Sequence, residues 1–157
     1  MDFEFTRRRF LSLSVLPATS MAVHAAGAGA LPLATSLDKD LASALSQRQP
    51  LVVMVSLEGC PFCKVVRENY LVPLKEQEGL PIVQVDMRSQ QEMTDFQVQK
   101  TTHDAMVKAW RIRLAPTVLF FGANGREIAR RMVGSYIPDF YGAYLNERLQ
   151  QARAALG

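Results

Sequence analysis

Cys60-Pro61-Phe62-Cys63, set between a valine-rich apolar run and a helical stretch, constrains this chain more than any other segment. Leu51 to Leu57 is almost wholly apolar and has strand length, while Lys64 to Leu71 reads as a helix. A Cys-x-x-Cys pair at such a junction is a signature of thiol–disulfide redox chemistry. The physical reason lies in the helix tip, which presents unpaired N–H groups and the positive end of the peptide dipoles. A thiolate held there is stabilised, so its sulfur reacts at neutral pH. Two intervening residues let the second sulfur reach back to the first. Pro61 suits the first turn, where a missing N–H loses no hydrogen bond.

Other chemistries would use the same two cysteines, the only ones in the chain. A purely structural disulfide would close a very short loop, where the entropic gain is smallest. A tetrahedral metal site asks for four ligands, and only His103 and scattered carboxylates are at hand to join two thiolates. Covalent haem attachment needs His directly after the second Cys; Lys64 stands there and excludes it.

The 157 residues, 48% of them hydrophobic, suit one globular domain with a sizeable core. Net charge is +3, too mild to point to nucleic acid, and no phosphate-cradling glycine loop is present. No apolar stretch in the body of the chain is long enough for a polytopic membrane protein.

Residues 1–30 read as an address. Thr6-Arg7-Arg8-Arg9-Phe10-Leu11 resembles the bacterial twin-arginine export motif. A modestly apolar stretch follows to about Val23, then small residues from Ala25 to Ala30. Basic, apolar and small-residue regions in that order make a secretory signal. A general secretory signal or a retained anchor would share the same features. Each places residues 31–157 outside the cytoplasm, where disulfides persist. Without residues 1–30 the chain keeps 15 basic and 13 acidic residues, a net +2.

Within the body, Ser36 reads as an N-cap for a helix carrying Leu37, Leu41, Ala44 and Leu45 up to Pro50. Leu51–Leu57, buried on both faces, is the first strand. Pro73 should kink or end the helix after the cysteines. Ile82–Asp86 is a second strand, completing a βαβ unit. Residues 87–101 are polar and without clear period, a long loop with room for a short helix. Thr102 caps a helix from His103 to about Trp110, with His103 exposed in its first turn. Val118–Phe121 is a third strand, Ala123-Asn124-Gly125 a hairpin turn, and Glu127–Val133 a fourth. Pro138 opens a last helix whose Tyr141, Tyr144, Leu145, Leu149 and Ala152 share one face.

From Leu51 to Ala154 this pattern resembles the thioredoxin superfamily. The resemblance rests on Cys60-Pro61-Phe62-Cys63, on Pro116 about fifty residues later, and on the strand–hairpin–strand–helix ending. Within the superfamily the chain is similar to exported, periplasmic thioredoxins of bacterial sulfur oxidation. That similarity is carried by Glu92-Met93-Thr94-Asp95-Phe96, Thr101-Thr102 and Ala115-Pro116-Thr117-Val118-Leu119-Phe120-Phe121. The fold implied is α/β, a central mixed sheet of about four strands flanked by helices. The activity implied is reduction of protein disulfides through a Cys60/Cys63 dithiol, with no bound cofactor because the cysteines carry the electrons. A disulfide oxidase or isomerase, or a non-enzymatic chaperone or metal-binding module on the same fold, remains open. The resemblance also implies a cis peptide at Pro116, with Ala115 offering backbone groups to an extended substrate. Phe62, exposed and apolar, suits a docking surface for partner proteins. The implied partners are disulfide-bearing exported proteins and a membrane thiol-transfer protein as electron donor, the protein itself being a monomer. The chain departs from cytoplasmic thioredoxins at three places. Gly59 replaces a Trp before the first Cys, Pro61-Phe62 replaces Gly-Pro, and Met54 replaces a buried Asp. Glu58 is the acid nearest in sequence to the pair.

Overall fold

The computed structural model describes residues 29–135 and 138–157. The export signal expected over residues 1–30 therefore lies, save its last two residues, outside the described residues.

Four strands form a mixed sheet in the order β2-β1-β5-β6, where β1 is Leu51–Ser56, β2 Ile82–Asp86, β5 Thr117–Gly122 and β6 Arg126–Val133. β1 runs parallel to β2 and antiparallel to β5, which turns back into β6. All six residues of β1 are buried. Successive side chains point to opposite faces, so an unbroken apolar run is what a doubly covered strand requires. Val52 and Met54 pack with Val66, Leu71, Tyr141, Leu145 and Leu149 on one face. Leu51, Val53 and Val55 pack with Leu37, Leu41, Met106 and Val107 on the other.

Helix α1 (Leu37–Ser46) and helix α4 (His103–Ala109) supply the second of those layers. Ser36 precedes α1 in extended conformation, but its hydroxyl makes no cap bond. It donates instead to Asp38 Oδ1 at 2.6 Å. Thr102 does cap α4, accepting from the Ala105 N–H at 3.2 Å.

The helix after the cysteines is one rod in three pieces. α2 (Pro61–Val66) leads into a π turn over Arg67–Leu71, and α3 (Val72–Glu78) completes it. Pro73 does not end the rod. Proline lacks the N–H that would bond Asn69, and its ring crowds that carbonyl. The π turn just before it, with the Val72 N–H bonded to the Arg67 carbonyl, widens the helix there. Gly79, at φ +66, then stops it in the left-handed cap position.

Residues 87–101 are not the irregular loop expected from their polarity. β3 (Glu92–Thr94) and β4 (Lys100–Thr102) form an antiparallel hairpin. The hairpin is held by contacts distant in sequence, which local periodicity does not reveal. Thr94 Oγ1 lies 2.8 Å from Asp38 Oδ1. The Phe96 ring sits 4.7 Å from that of Phe121, and Trp110 completes the stack at 5.4 Å from Phe121. Phe96 also covers Gly125, where an added Cβ would come within 2.5 Å of the ring. The β5–β6 turn matches the sequence expectation, with Asn124 and Gly125 both at positive φ.

A strap over residues 31–34 lies along the outer edge of β2. The Ala34 N–H donates to the Gln84 carbonyl and the Gln84 N–H to the Pro32 carbonyl, each at 2.8 Å. His103 fastens this strap. It is fully buried rather than exposed, with Nδ1 accepting from the Asp86 N–H at 3.0 Å. Its Nε2–H then faces the Ala34 carbonyl at 2.8 Å. With one ring nitrogen accepting and the other donating, the two bonds select a single tautomer.

Helix α5 (Pro138–Leu156) closes the other layer through Tyr141, Leu145, Leu149 and Ala152. Tyr144, expected on the same face, is exposed.

Candidate functional site

The chain leaves β1 at its buried C-terminal end and must turn sharply into α2. Gly59, at φ +71, makes that turn with nothing within 4 Å of where a Cβ would stand. Cys60 follows as the N-cap of α2 in extended conformation, and Pro61 occupies the first turn. The Lys64 N–H donates to the Cys60 carbonyl, and the Cys63 N–H points at Cys60 Sγ at 3.1 Å. The sulfur thus takes the place of a capping oxygen and satisfies an otherwise orphaned N–H.

Cys60 and Cys63 form a disulfide, with 5.3 Å between their Cα atoms. Their environments differ. Cys63 is 1% exposed and belongs to the core layer of Val66 and Tyr141. Cys60 is partly exposed and only packs against that layer. Cys60 therefore lies nearer the surface than its enclosed partner.

Of the other residues singled out from sequence, Phe62 is 61% exposed beside the pair. The Ala115–Pro116 peptide is cis. Ala115 packs against the same apolar layer as Cys60. Its backbone N–H and carbonyl make no hydrogen bond among the described residues, whereas the Pro116 carbonyl accepts from the Gly134 N–H at 2.7 Å. Met54 is fully buried in the layer that holds Cys63, so no carboxylate occupies that strand position. Glu58 is exposed.

One feature escaped the sequence. Cys60 opens onto a groove of about 1020 Å³. Cys60, Lys64 and Arg67 line one wall; Gln84, Asp86 and Arg88 line the other. Arg67 Nη1 donates to Gln84 Oε1 at 3.1 Å, and Gln84 Nε2 donates to Asp86 Oδ1 at 2.8 Å. A spacing of four and then three residues puts Cys60, Lys64 and Arg67 on one helical face, which is the signal that could have found this wall. The opposite wall depends on β1–β2 register, with Met54 beside Gln84 and Ser56 beside Asp86, and no local pattern reveals it. Among the described residues no group of three or more His, Cys, Asp or Glu is placed to hold a metal ion.

A thioredoxin-like domain family model matches residues 37–148, from the start of α1 into α5. Among solved structures, a DsbH oxidoreductase aligns over 89% of this chain and 95% of its own, with TM-score 0.53 and 16% identity. Fasciola hepatica thioredoxin aligns over 78% and 99%, with TM-score 0.51 and 16% identity. The periplasmic thioredoxin SoxS from Paracoccus pantotrophus aligns over 66% and 99%, with TM-score 0.44 and 18% identity. For the first two, the likeness at such identities is one of fold. Comparison with curated proteins finds no match. The family match spans most of the described fold and encloses the paired cysteines at the tip of α2, so this chain belongs to the thioredoxin-like family, with the cysteine pair of a thiol–disulfide oxidoreductase.

Proposed function

We propose that this protein is an exported thioredoxin-like reductase that opens disulfides in other exported proteins. The observation that carries the proposal is the inequality of the two sulfurs at the helix tip, Cys60 at the surface and Cys63 in the core. In the reduced protein the Cys60 thiolate attacks one sulfur of a substrate disulfide. The other substrate sulfur leaves as a thiolate and takes up a proton. The resulting mixed disulfide is then attacked by Cys63 at Cys60 Sγ, which expels the second substrate thiol. Two electrons have passed to the substrate, and the protein is left with the Cys60–Cys63 disulfide. A dithiol donor, for which a membrane thiol-transfer protein is the fitting class, returns it to the reduced state.

Ala115 serves this reaction by pairing its unsatisfied backbone groups with an extended substrate next to Pro116. Phe62 offers apolar contact for the partner's surface. Export rests on the order of Arg7-Arg8, apolar stretch and small residues in the first thirty positions. The reducing direction rests on the similarity of residues 92–96 and 115–121 to exported thioredoxins.

The reduction potential tests the direction. A value near the roughly −270 mV of thioredoxin supports a reductase, and one near the roughly −120 mV of DsbA makes the protein a disulfide donor instead. A Cys63→Ser variant, expressed in its native compartment, should hold its substrates as mixed disulfides on Cys60. A variant that traps nothing, with wild-type Cys60 reactivity, would overturn the reductase role.

A further inference from the structure

The groove beside Cys60 carries an excess of positive charge that the exchange chemistry itself does not need. From Cys60 to Arg67 the wall of α2 runs seven residues, about 10 Å at 1.5 Å per residue. An extended peptide covers that length with about three residues at roughly 3.3 Å each. Lys64 and Arg88 are exposed and make no ion pair among the described residues. Arg67 gives one N–H to Gln84, and its remaining donors have no partner among the described residues. Two acids line the same groove. Asp86 is engaged by Gln84, and Glu58 stands exposed at the Cys60 end. Three cations therefore face two anions, and the two exposed cations, Lys64 and Arg88, have no ion-pair partner among the described residues. The hollow also continues beyond Arg67, where a second space of about 470 Å³ shares Arg67, Gln84 and Asp86 and ends at the strap residues Leu31 and Leu33.

We propose that this groove is a substrate-specificity subsite for an acidic peptide segment, seating Asp or Glu side chains that lie within about three residues of the substrate's attacked cysteine on Lys64 and Arg88. The inference rests on the disulfide-exchange reading above. A substrate cysteine joined to Cys60 has its flanking chain at the mouth of the groove. Carboxylates on that chain then meet Lys64 one helical turn along and Arg88 across the gap. Glu58 repels an acid placed directly at the mouth, which sets the preferred acid beyond the first flanking residue.

Three disulfide-bearing peptides test this, identical except for acidic, amide or basic residues at the two or three positions beside the cysteine. Exposed charge pairs are individually weak, so with two of them the acidic peptide should react about three- to tenfold faster than the amide peptide at about 20 mM salt, with the basic peptide slowest. At about 0.5 M salt the ratio should fall toward one, because exposed charges are then screened. The Lys64→Gln/Arg88→Gln double variant should bring the acidic-to-amide ratio near one at low salt. Any general change in sulfur reactivity cancels in that ratio. Equal rates for the three peptides in the wild-type protein, or a ratio that survives in the double variant, would overturn the subsite while leaving disulfide reduction intact. Failure to reduce all three peptides, from a protein with both thiols free, would instead remove the exchange reading and the subsite with it.

Discussion

His103 is the residue whose loss should be felt most for its size. It is fully buried and joins three pieces of structure: its own helix α4, the end of β2 through the Asp86 N–H, and the strap through the Ala34 carbonyl. His103→Leu substitutes an apolar side chain of similar bulk and removes both hydrogen bonds. The Ala34 residue is fully buried, so its carbonyl would be left without a partner. The Asp86 residue is half-buried, so its N–H regains some contact with water. An unsatisfied buried group costs about 1–3 kcal/mol; one full and one partial penalty give about 2–4 kcal/mol. For a domain of this size that is a fall in Tm of roughly 10 °C. Urea unfolding of the oxidised protein, followed by far-ultraviolet circular dichroism, measures the first quantity. Amide exchange locates it. The Gln84 N–H, bonded to the Pro32 carbonyl of the strap, should exchange much faster in the variant, while Leu119 in the sheet centre should follow global unfolding. A destabilisation below about 1 kcal/mol, or loss of protection spread evenly over the sheet, would refute the idea that His103 pins the strap.

The two cysteines should differ in the same way under alkylation. In the reduced protein near neutral pH, Cys60 should be modified at least about tenfold faster than the buried Cys63, and mass spectrometry of the labelled peptides would expose equal rates. Replacing Arg7 and Arg8 together by Lys keeps charge but not guanidinium geometry; it should block a twin-arginine route, and undiminished export of that variant would remove the twin-arginine assignment. The Ser36–Asp38–Asp40 turn predicts opposite effects of two neighbouring acids. Hydrogen bonds from Ser36 and Thr94 hold the Asp38 carboxyl below its ordinary range, so its stabilising contribution is present above that ordinary range and is lost as pH falls through the lowered value. Burial, with the nearby Asp38 charge, pushes Asp40 up, so ionising it opposes folding once pH exceeds its ordinary range. Asp40→Asn should then raise Tm at pH 7 and Asp38→Ala lower it, and thermal melts giving the same sign for both would contradict this account.

Legibility followed the range of the interactions concerned. β1, β2, the Asn124-Gly125 turn and the Thr102 cap were all readable, because each is decided by residues adjacent in sequence or by one strand's apolar run. Phe62 and the cysteine pair were readable for the same reason, since a helix tip is a local object. The β3–β4 hairpin was not. Its short strands carry polar side chains, and it is held by Thr94 on Asp38 and Phe96 on Phe121, contacts across 56 and 25 positions. His103 is buried although its sequence position suggests exposure, since a polar residue in a helix's first turn ordinarily faces water. The competing demand came from the strap, whose Ala34 carbonyl lies 69 positions away.

The same distinction separates the two halves of the site. The cysteine half, Gly59 to Lys64, is specified within six residues of sequence. The other wall of the groove is specified by strand register alone. Met54 pairs with Gln84 and Ser56 with Asp86, so a slip of one residue in β2 would turn Gln84 and Asp86 to the opposite face. Register is in turn fixed by the apolar faces of β1 and β2, and by the strap and His103 that clamp β2's outer edge. Residues chosen for packing thus place Asp86 and Arg88 opposite Cys60. The clamp also sits outside the cysteine helix, so a change at His103 should alter partner choice at the groove more than the intrinsic exchange of the Cys60–Cys63 pair. That separation is measurable: with His103→Leu held well below its melting temperature, exchange with a small uncharged disulfide should stay close to wild type while the acidic-to-amide peptide ratio falls. Parallel losses in both would mean that the clamp supports the helix tip itself, and that the two halves are not independent.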